Sequence, residues 1–288
     1  MDMQLFSALN DDTTRYRYLL LDGLGSVNQM DMVYVNNIKQ MLGDEAVITV
    51  PRPDLSHEPE SCPQLVLLAV PGQEVNERLV RFSLVQAKDE REEWKRYISG
   101  WMTSEMPPKT LAEHIITLAR SMGALYAQPY CAFYEPFRMQ LLHDGNVMSD
   151  AWLPTVLTAF KTYFYLSING HLKKISRLDR PADRMDVFIT EETKFYLREF
   201  RALFYLYQGW QEASSRAPSD RDVISLAQWY QRSAILGLEN TKDRYIYAMM
   251  SEKRGDIMRN RVMAAAVNEA KADKGSLPQR LKAITERV

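Results

Sequence analysis

Short apolar runs alternate with helical spacings along the first 180 residues, and helical spacing alone fills the remainder. Residues 16–21 form an aromatic and aliphatic run closed by Asp22-Gly23, which predicts a strand and a turn. Met30, Val33, Tyr34, Ile38, Met41 and Leu42 recur at close to one helical turn, so a helix is expected over 28–42, stopped by Gly43. Residues 46–50 read as a short strand, the proline-rich 51–63 as a loop, and 64–70 as the strongest strand pattern in the chain. A helix is expected over 74–94, with a charged end, and a strand over 96–103. Pro107-Pro108 open a helix with Leu111, Ile115, Leu118 and Met122 on one face; proline is tolerated there because a first-turn N–H has no intrahelical partner. The aromatic stretch 125–134 is expected as a strand, followed by short helices at 138–142 and near 150–160. Residues 163–168 and 172–175, joined by Asn169-Gly170, predict a hairpin, since both turn residues tolerate positive φ.

The charged stretch 177–186 contains Pro181 and little apolar material; 181–186 is expected to be a linker. Beyond it, Tyr196, Phe200, Leu203, Tyr207 and Trp210 set a helix over 193–210 that is apolar on several sides. Further helices are expected over 220–236, capped by Ser219 or Asp220, and over 242–253 and 256–272. Gly275 is a stop, Ser276 and Gln279 suit a capping box, and Leu277, Leu281, Ile284 and Val288 form the last stripe. The fold class is therefore α+β: a mixed α/β lobe with a central sheet over 1–180, then an all-helical lobe over 187–288.

Composition narrows the function classes. The chain has 288 residues, 46% hydrophobic and 25% charged, which suits a globular protein rather than a disordered one. No apolar run approaches the roughly 18–20 residues that span a bilayer, so no membrane association is expected. A net charge of −1 argues against nucleic acid, whose binders carry excess Lys and Arg. Cys62 and Cys131 are too few for a disulfide framework, and the N-terminus lacks a basic signal-peptide region; a cytoplasmic location is expected.

The chemistry-bearing motifs are sparse. No G-x-S-x-G or P-loop pattern occurs. Gly23-Leu24-Gly25 sits between a strand and a helix, where a phosphate cradle belongs, yet it lacks a third glycine and Asp22 would repel a phosphate; a tight turn is expected. The four histidines are dispersed, and a metal site would have to be assembled from His57, Cys62, His114 and Cys131; neither metal nor cofactor is expected. His114 lies toward the apolar side of its helix, as a packed histidine or as a general base without an adjacent nucleophile. An enzyme using His114 with Glu135 is one alternative, and a general protein-binding scaffold is another. The aromatic cluster at 195–210 reads as core, while its neighbours Arg198 and Arg201 leave open a partner-binding surface.

Three motifs carry a resemblance: Tyr18-Leu19-Leu20-Leu21-Asp22-Gly23, Lys109-Thr110-Leu111-Ala112-Glu113-His114-Ile115, and Phe133-Tyr134-Glu135-Pro136-Phe137-Arg138. In this order they resemble the Tap/TEC-type effector chaperones, or adaptors, of bacterial type VI secretion. The helix, glycine and aspartate of 225–244 are similar in layout to that family's helical lobe. The chain departs from the family pattern at Ala132, Glu135 and Phe137, where the family has arginine, aspartate and arginine; here the arginine comes one residue later, as Arg138. The resemblance implies a protein that is not an enzyme. It implies a toxic effector protein as partner and loading onto the VgrG spike. Asp22, His114, Tyr134, Glu135, Arg138, Tyr207 and Trp210 are the residues expected to serve partner binding or to form a structural motif.

Overall fold

The computed structural model describes residues 2–145, 152–177 and 189–285. The chain divides into a unit of residues 1–190 and a unit of residues 191–288. The expected linker, 181–186, lies outside the described residues, as do the expected helix start at Asp150 and the last stripe residue, Val288.

The first unit runs α1 (Asp2–Asn10), β1 (Tyr16–Leu21), α2 (Val35–Leu42), β2 (Val47–Thr49), β3 (Gln64–Ala69), α3 (Glu77–Asp89), β4 (Ile98–Ser104), α4 (Pro108–Ala124), α5 (Pro136–Asp144), α6 (Trp152–Val156), β5 (Thr162–Leu166) and β6 (Leu172–Ser176). Its six strands form one antiparallel sheet in the order β2-β3-β1-β4-β5-β6. Leu19 lies opposite Val66 on one side and Trp101 on the other. Successive strand residues point to opposite faces, and in β1 and β4 both faces are buried, so that Arg17, Ser99, Thr103 and Ser104 are enclosed along with the apolar side chains. One face gathers Leu19, Leu21, Val66, Leu68, Trp101 and Phe164 with Leu5 and Leu9 of α1 and Leu79, Val80 and Leu84 of α3. On the other, α4 lies across β2 and β3, and α5 beside β5. The Asn169-Gly170 hairpin forms with Gly170 at φ +80°.

The second unit contains α7 (Glu191–Arg198), α8 (Phe200–Ala213), α9 (Asp220–Ile235), α10 (Thr241–Arg254), α11 (Arg261–Ala272) and α12 (Leu277–Thr285). Ser219 and Asp222 make the capping box of α9. The start of α12 is held by Asp243 of α10, which is 1% exposed and accepts the N–H groups of Gly275 and Leu277 at 2.6 and 2.9 Å. No helix among the described residues is long and apolar enough to cross a membrane.

Three expectations are corrected, and one helix was missed. Helix 28–42 shortens to α2, because Asn28 Oδ1 takes the Met30 N–H and Asn37 Nδ2 donates to the carbonyls of Gln29 and Asp31, holding turns where a helix was expected. The aromatic stretch 125–134 is not a strand. Its chain folds back on α4, with Gln128 N–H on Gly123 O, Cys131 N–H on Ala119 O, and Ala127 at φ 59°. A Cβ at Gly123 would stand 2.7 Å from Gln128 O, so the close return requires glycine. The expected helix 193–210 breaks at Glu199, whose carboxylate receives the Tyr230 hydroxyl and stands 3.8 Å from Arg244. Finally α1, with Leu5 and Leu9 one turn apart, was not anticipated from the sequence.

Candidate functional site

β1 ends by delivering Asp22 into a turn. Asp22 N–H donates to Tyr97 O at 2.7 Å, its Oδ1 accepts the Leu24 N–H at 3.1 Å, and Gly25 N–H returns to its carbonyl at 2.9 Å. Both glycines are required by close approach: a Cβ on Gly23 would lie 2.6 Å from Glu60 O, and one on Gly25 2.3 Å from Tyr97 N. The expected tight turn forms, pressed against the start of β4.

Charged side chains converge on this turn. Asp22 is 1% exposed and its Oδ2 has no hydrogen-bond partner. Burial pushes its carboxyl up, against the pull of Lys95, then Arg52 and Arg138. Arg52, from the loop after β2, binds Asp54 through Nε and Nη2 at 3.2 and 2.6 Å and stands 4.8 Å from the centre of the Tyr130 ring. Tyr130 and Tyr134 hydroxyls meet at 3.4 Å. The Tyr134 phenol is raised by burial and then by the charge of Asp22. Lys95 is lowered by burial, with Asp22 acting against it.

The motif around Pro136 forms the next layer. Glu135 is the N-cap of α5: its Oε1 accepts Phe137 N–H at 3.2 Å and its Oε2 accepts Arg138 N–H at 2.9 Å. Burial raises its carboxyl, with Arg96 foremost in opposition and Arg138 also acting. Arg96 is 1% exposed and donates to Leu166 O at 3.0 Å and Arg91 O at 2.8 Å. Glu90 lies against the same strand start, accepting Tyr97 N–H at 3.0 Å, Ile98 N–H at 2.6 Å and the Gln86 amide at 3.2 Å. Burial raises it to about 7. Cys131 is fully buried; burial pushes its thiol up, against the Arg138 guanidinium.

Of the residues expected from sequence, Asp22, Tyr134, Glu135 and Arg138 are brought together. His114 stands half-buried on α4, its Nε2 without a hydrogen-bond partner among the described residues, and burial lowers its pKa. Tyr207 and Trp210 belong to α8 of the helical unit, at 1% and 5% exposure, and pack in its core. Among the described residues no three His, Cys, Asp or Glu side chains gather as a metal site requires. Arg52, Lys95, Arg96 and Glu90 were missed. Each is a charged residue in a charged or proline-rich stretch, and no sequence signal marked it as buried.

No protein-family model, curated protein or solved structure matches the chain.

Proposed function

We propose that this chain is a cytoplasmic adaptor, not an enzyme, which binds a toxic effector of a type VI secretion system and helps load it onto the VgrG spike protein. The observation that carries this is the meeting of motifs distant in sequence. Asp22, from the first motif of the family resemblance, shares one buried charged cluster with Tyr134, Glu135 and Arg138 from the last. The remaining motif opens α4, which packs across the neighbouring strands β2 and β3. Motifs that define a family through its framework are expected to meet in this way; motifs matched by chance carry no such requirement.

In this function the cluster is framework rather than contact surface. Both Glu135 oxygens are engaged in capping and Asp22 is shielded from solvent. The effector is held by exposed surface elsewhere. Co-expression with the toxin encoded beside this chain's gene is the test. The expected result is a soluble complex, with the toxin insoluble or degraded when made alone, and recruitment of the purified pair by the spike protein. A toxin that fails to co-purify even at low salt overturns the assignment.

A further inference from the structure

α3 has an outward face that is not uniformly polar. Leu79, Val80, Ser83, Leu84 and Ala87 are its buried side, and Ser83 Oγ accepts the Trp101 indole N–H at 2.8 Å, which fixes the rotation of the helix on the sheet. With rotation fixed, Arg78, Phe82 and Val85 project outward at i, i+4 and i+7, with Arg81 beside them. Phe82 and Val85 are each 41% exposed, and the Arg78 guanidinium lies 5.7 Å from the Phe82 ring centre. A concave strip of about 620 Å³ runs along this face, lined by Asn76, Glu77, Arg78, Arg81, Phe82 and Val85, with two cationic side chains against the one carboxylate of Glu77. Arg15 and Arg177 share Glu105 and Arg52 holds Asp54, while buried Arg17 and Arg96 donate to backbone carbonyls; exposed Arg120 has no carboxylate partner among the described residues and lacks an aromatic neighbour. Among the described residues Arg78 and Arg81 have no carboxylate partner either.

We propose that this stripe is where the effector docks, and that it takes an amphipathic segment presenting an apolar side chain flanked by carboxylates. This rests on the adaptor function above. Phe82 and Val85 supply an apolar floor. Arg78 and Arg81 supply two planar guanidiniums whose paired N–H groups match carboxylates bidentately. An aromatic anchor bordered by arginine has the composition of a binding hot spot. Self-association through the same face is disfavoured, because a two-fold contact centred on the stripe brings the two Arg81 side chains together. A surface built on so few turns of one helix is smaller than the roughly 800 Å² per partner of a standard interface. The contact belongs to the weak class, suited to cargo that is handed on.

The full-length chain is tested as Phe82→Ala, as the double variant Arg78→Glu/Arg81→Glu, and as the control Arg120→Glu on the exposed side of α4. Each is co-expressed with the toxin encoded beside its gene, and binding of the purified partners is measured by calorimetry. Phe82→Ala and the double variant are expected to weaken binding by about tenfold or more, the range of hot-spot truncations, with unchanged melting temperatures; Arg120→Glu is expected to bind as wild type. If both α3 variants hold the toxin as tightly as wild type does, the docking site is wrong and the adaptor function stands. If wild type does not hold the toxin, both fall. If wild type dimerises in sedimentation runs without toxin and Phe82→Ala abolishes the dimer, the stripe is a self-association surface and the proposal is overturned.

Discussion

Replacing Glu90 with glutamine separates two effects that oppose each other in this fold. The Glu90 carboxyl is buried against the start of β4, and burial raises it from 4.5 to about 7 despite three N–H donors and the charge of Arg96. A carboxyl that binds its proton more tightly when folded contributes stability that is complete below the unfolded value and is lost as pH rises through the folded one. Between pH 4.5 and about 7, at 1.36 kcal/mol per pH unit, about 3 kcal/mol is lost, with no further loss above. The protonated form is accommodated because the Gln86 amide, at 3.2 Å, can turn its oxygen toward the new O–H. Glutamine at position 90 has no such titration, but its NH₂ faces the Tyr97 or Ile98 N–H. Leaving one buried donor unpaired costs about 1–3 kcal/mol at every pH. Glu90→Gln is therefore expected to be less stable than wild type by that amount at about pH 4, below the unfolded value, and equal to wild type or more stable at about pH 8. Urea midpoints of both proteins at the two pH values measure the difference, in which the other titrating groups cancel. A gap that stays constant, or widens as pH rises, would mean that the N–H donors favour the carboxylate more than burial disfavours it.

Three further outcomes follow from the same geometry. Glu135→Ala removes the α5 cap and leaves the buried Phe137 and Arg138 N–H groups without their acceptor, so its urea-measured loss is expected to be about 1–3 kcal/mol. Gly25→Ala places a Cβ 2.3 Å from the Tyr97 backbone nitrogen and is expected to cost about 3 kcal/mol or more, whereas Gly72→Ala, with open space but φ +85°, is expected to cost about 1–2 kcal/mol; thermal melts of the two compare close approach with dihedral strain. Phe200→Ala, at a position 3% exposed in α8, is expected to destabilise the helical unit by about 3–5 kcal/mol, and a variant that melts like wild type would place Phe200 outside the core.

Elements punctuated by their own residues were legible in the sequence. β1 ends at Asp22-Gly23, β3 at Pro71-Gly72, and the β5–β6 hairpin turns at Asn169-Gly170, all close to the expected limits. What failed were segments decided by distant partners. Burial of Tyr126, Tyr130, Phe133 and Tyr134 was readable from their aromatic density, but a buried strand and a buried return loop share that density. Only the closure of Tyr130 and Gln128 over Gly123 distinguishes them. The break at Glu199 is invisible in a continuous helical pattern, because the groups that draw Glu199 aside, Tyr230 and Arg244, lie on α9 and α10. In the site, Glu135 was legible because Pro136 marks a first turn and an acidic residue before it suits a cap. Arg52, Lys95 and Arg96 were not, because charged residues read locally as solvated surface. Their burial follows from the sheet order, which sets β1 between β3 and β4 and draws both neighbouring loops against Asp22.

A buried charged cluster of this kind is not explained by ion pairing alone, since apolar replacements of similar volume often match or exceed the stability of buried pairs. Here the charges serve mainly backbone groups. Glu90 takes the N–H groups of Tyr97 and Ile98 where the β1–β4 register shifts between Leu20 and Leu21. Glu135 takes the first free N–H groups of α5, Arg96 gives to the carbonyls of Leu166 and Arg91, and Asp22 takes the N–H of Leu24. An apolar substitute would leave those groups buried and unpaired, at a cost of about 1–3 kcal/mol each. The cluster is thus tied to the geometry of three chain segments meeting at one end of the sheet, and its residue types are constrained whatever the protein binds. The outward stripe of α3 carries no such constraint, because Phe82, Val85, Arg78 and Arg81 satisfy no backbone group of the fold. Under the proposed function, the residues that hold the framework and those proposed to select the cargo fall on separate surfaces, so substitutions at α3 are expected to leave undisturbed the cluster that Asp22 and Glu135 hold together.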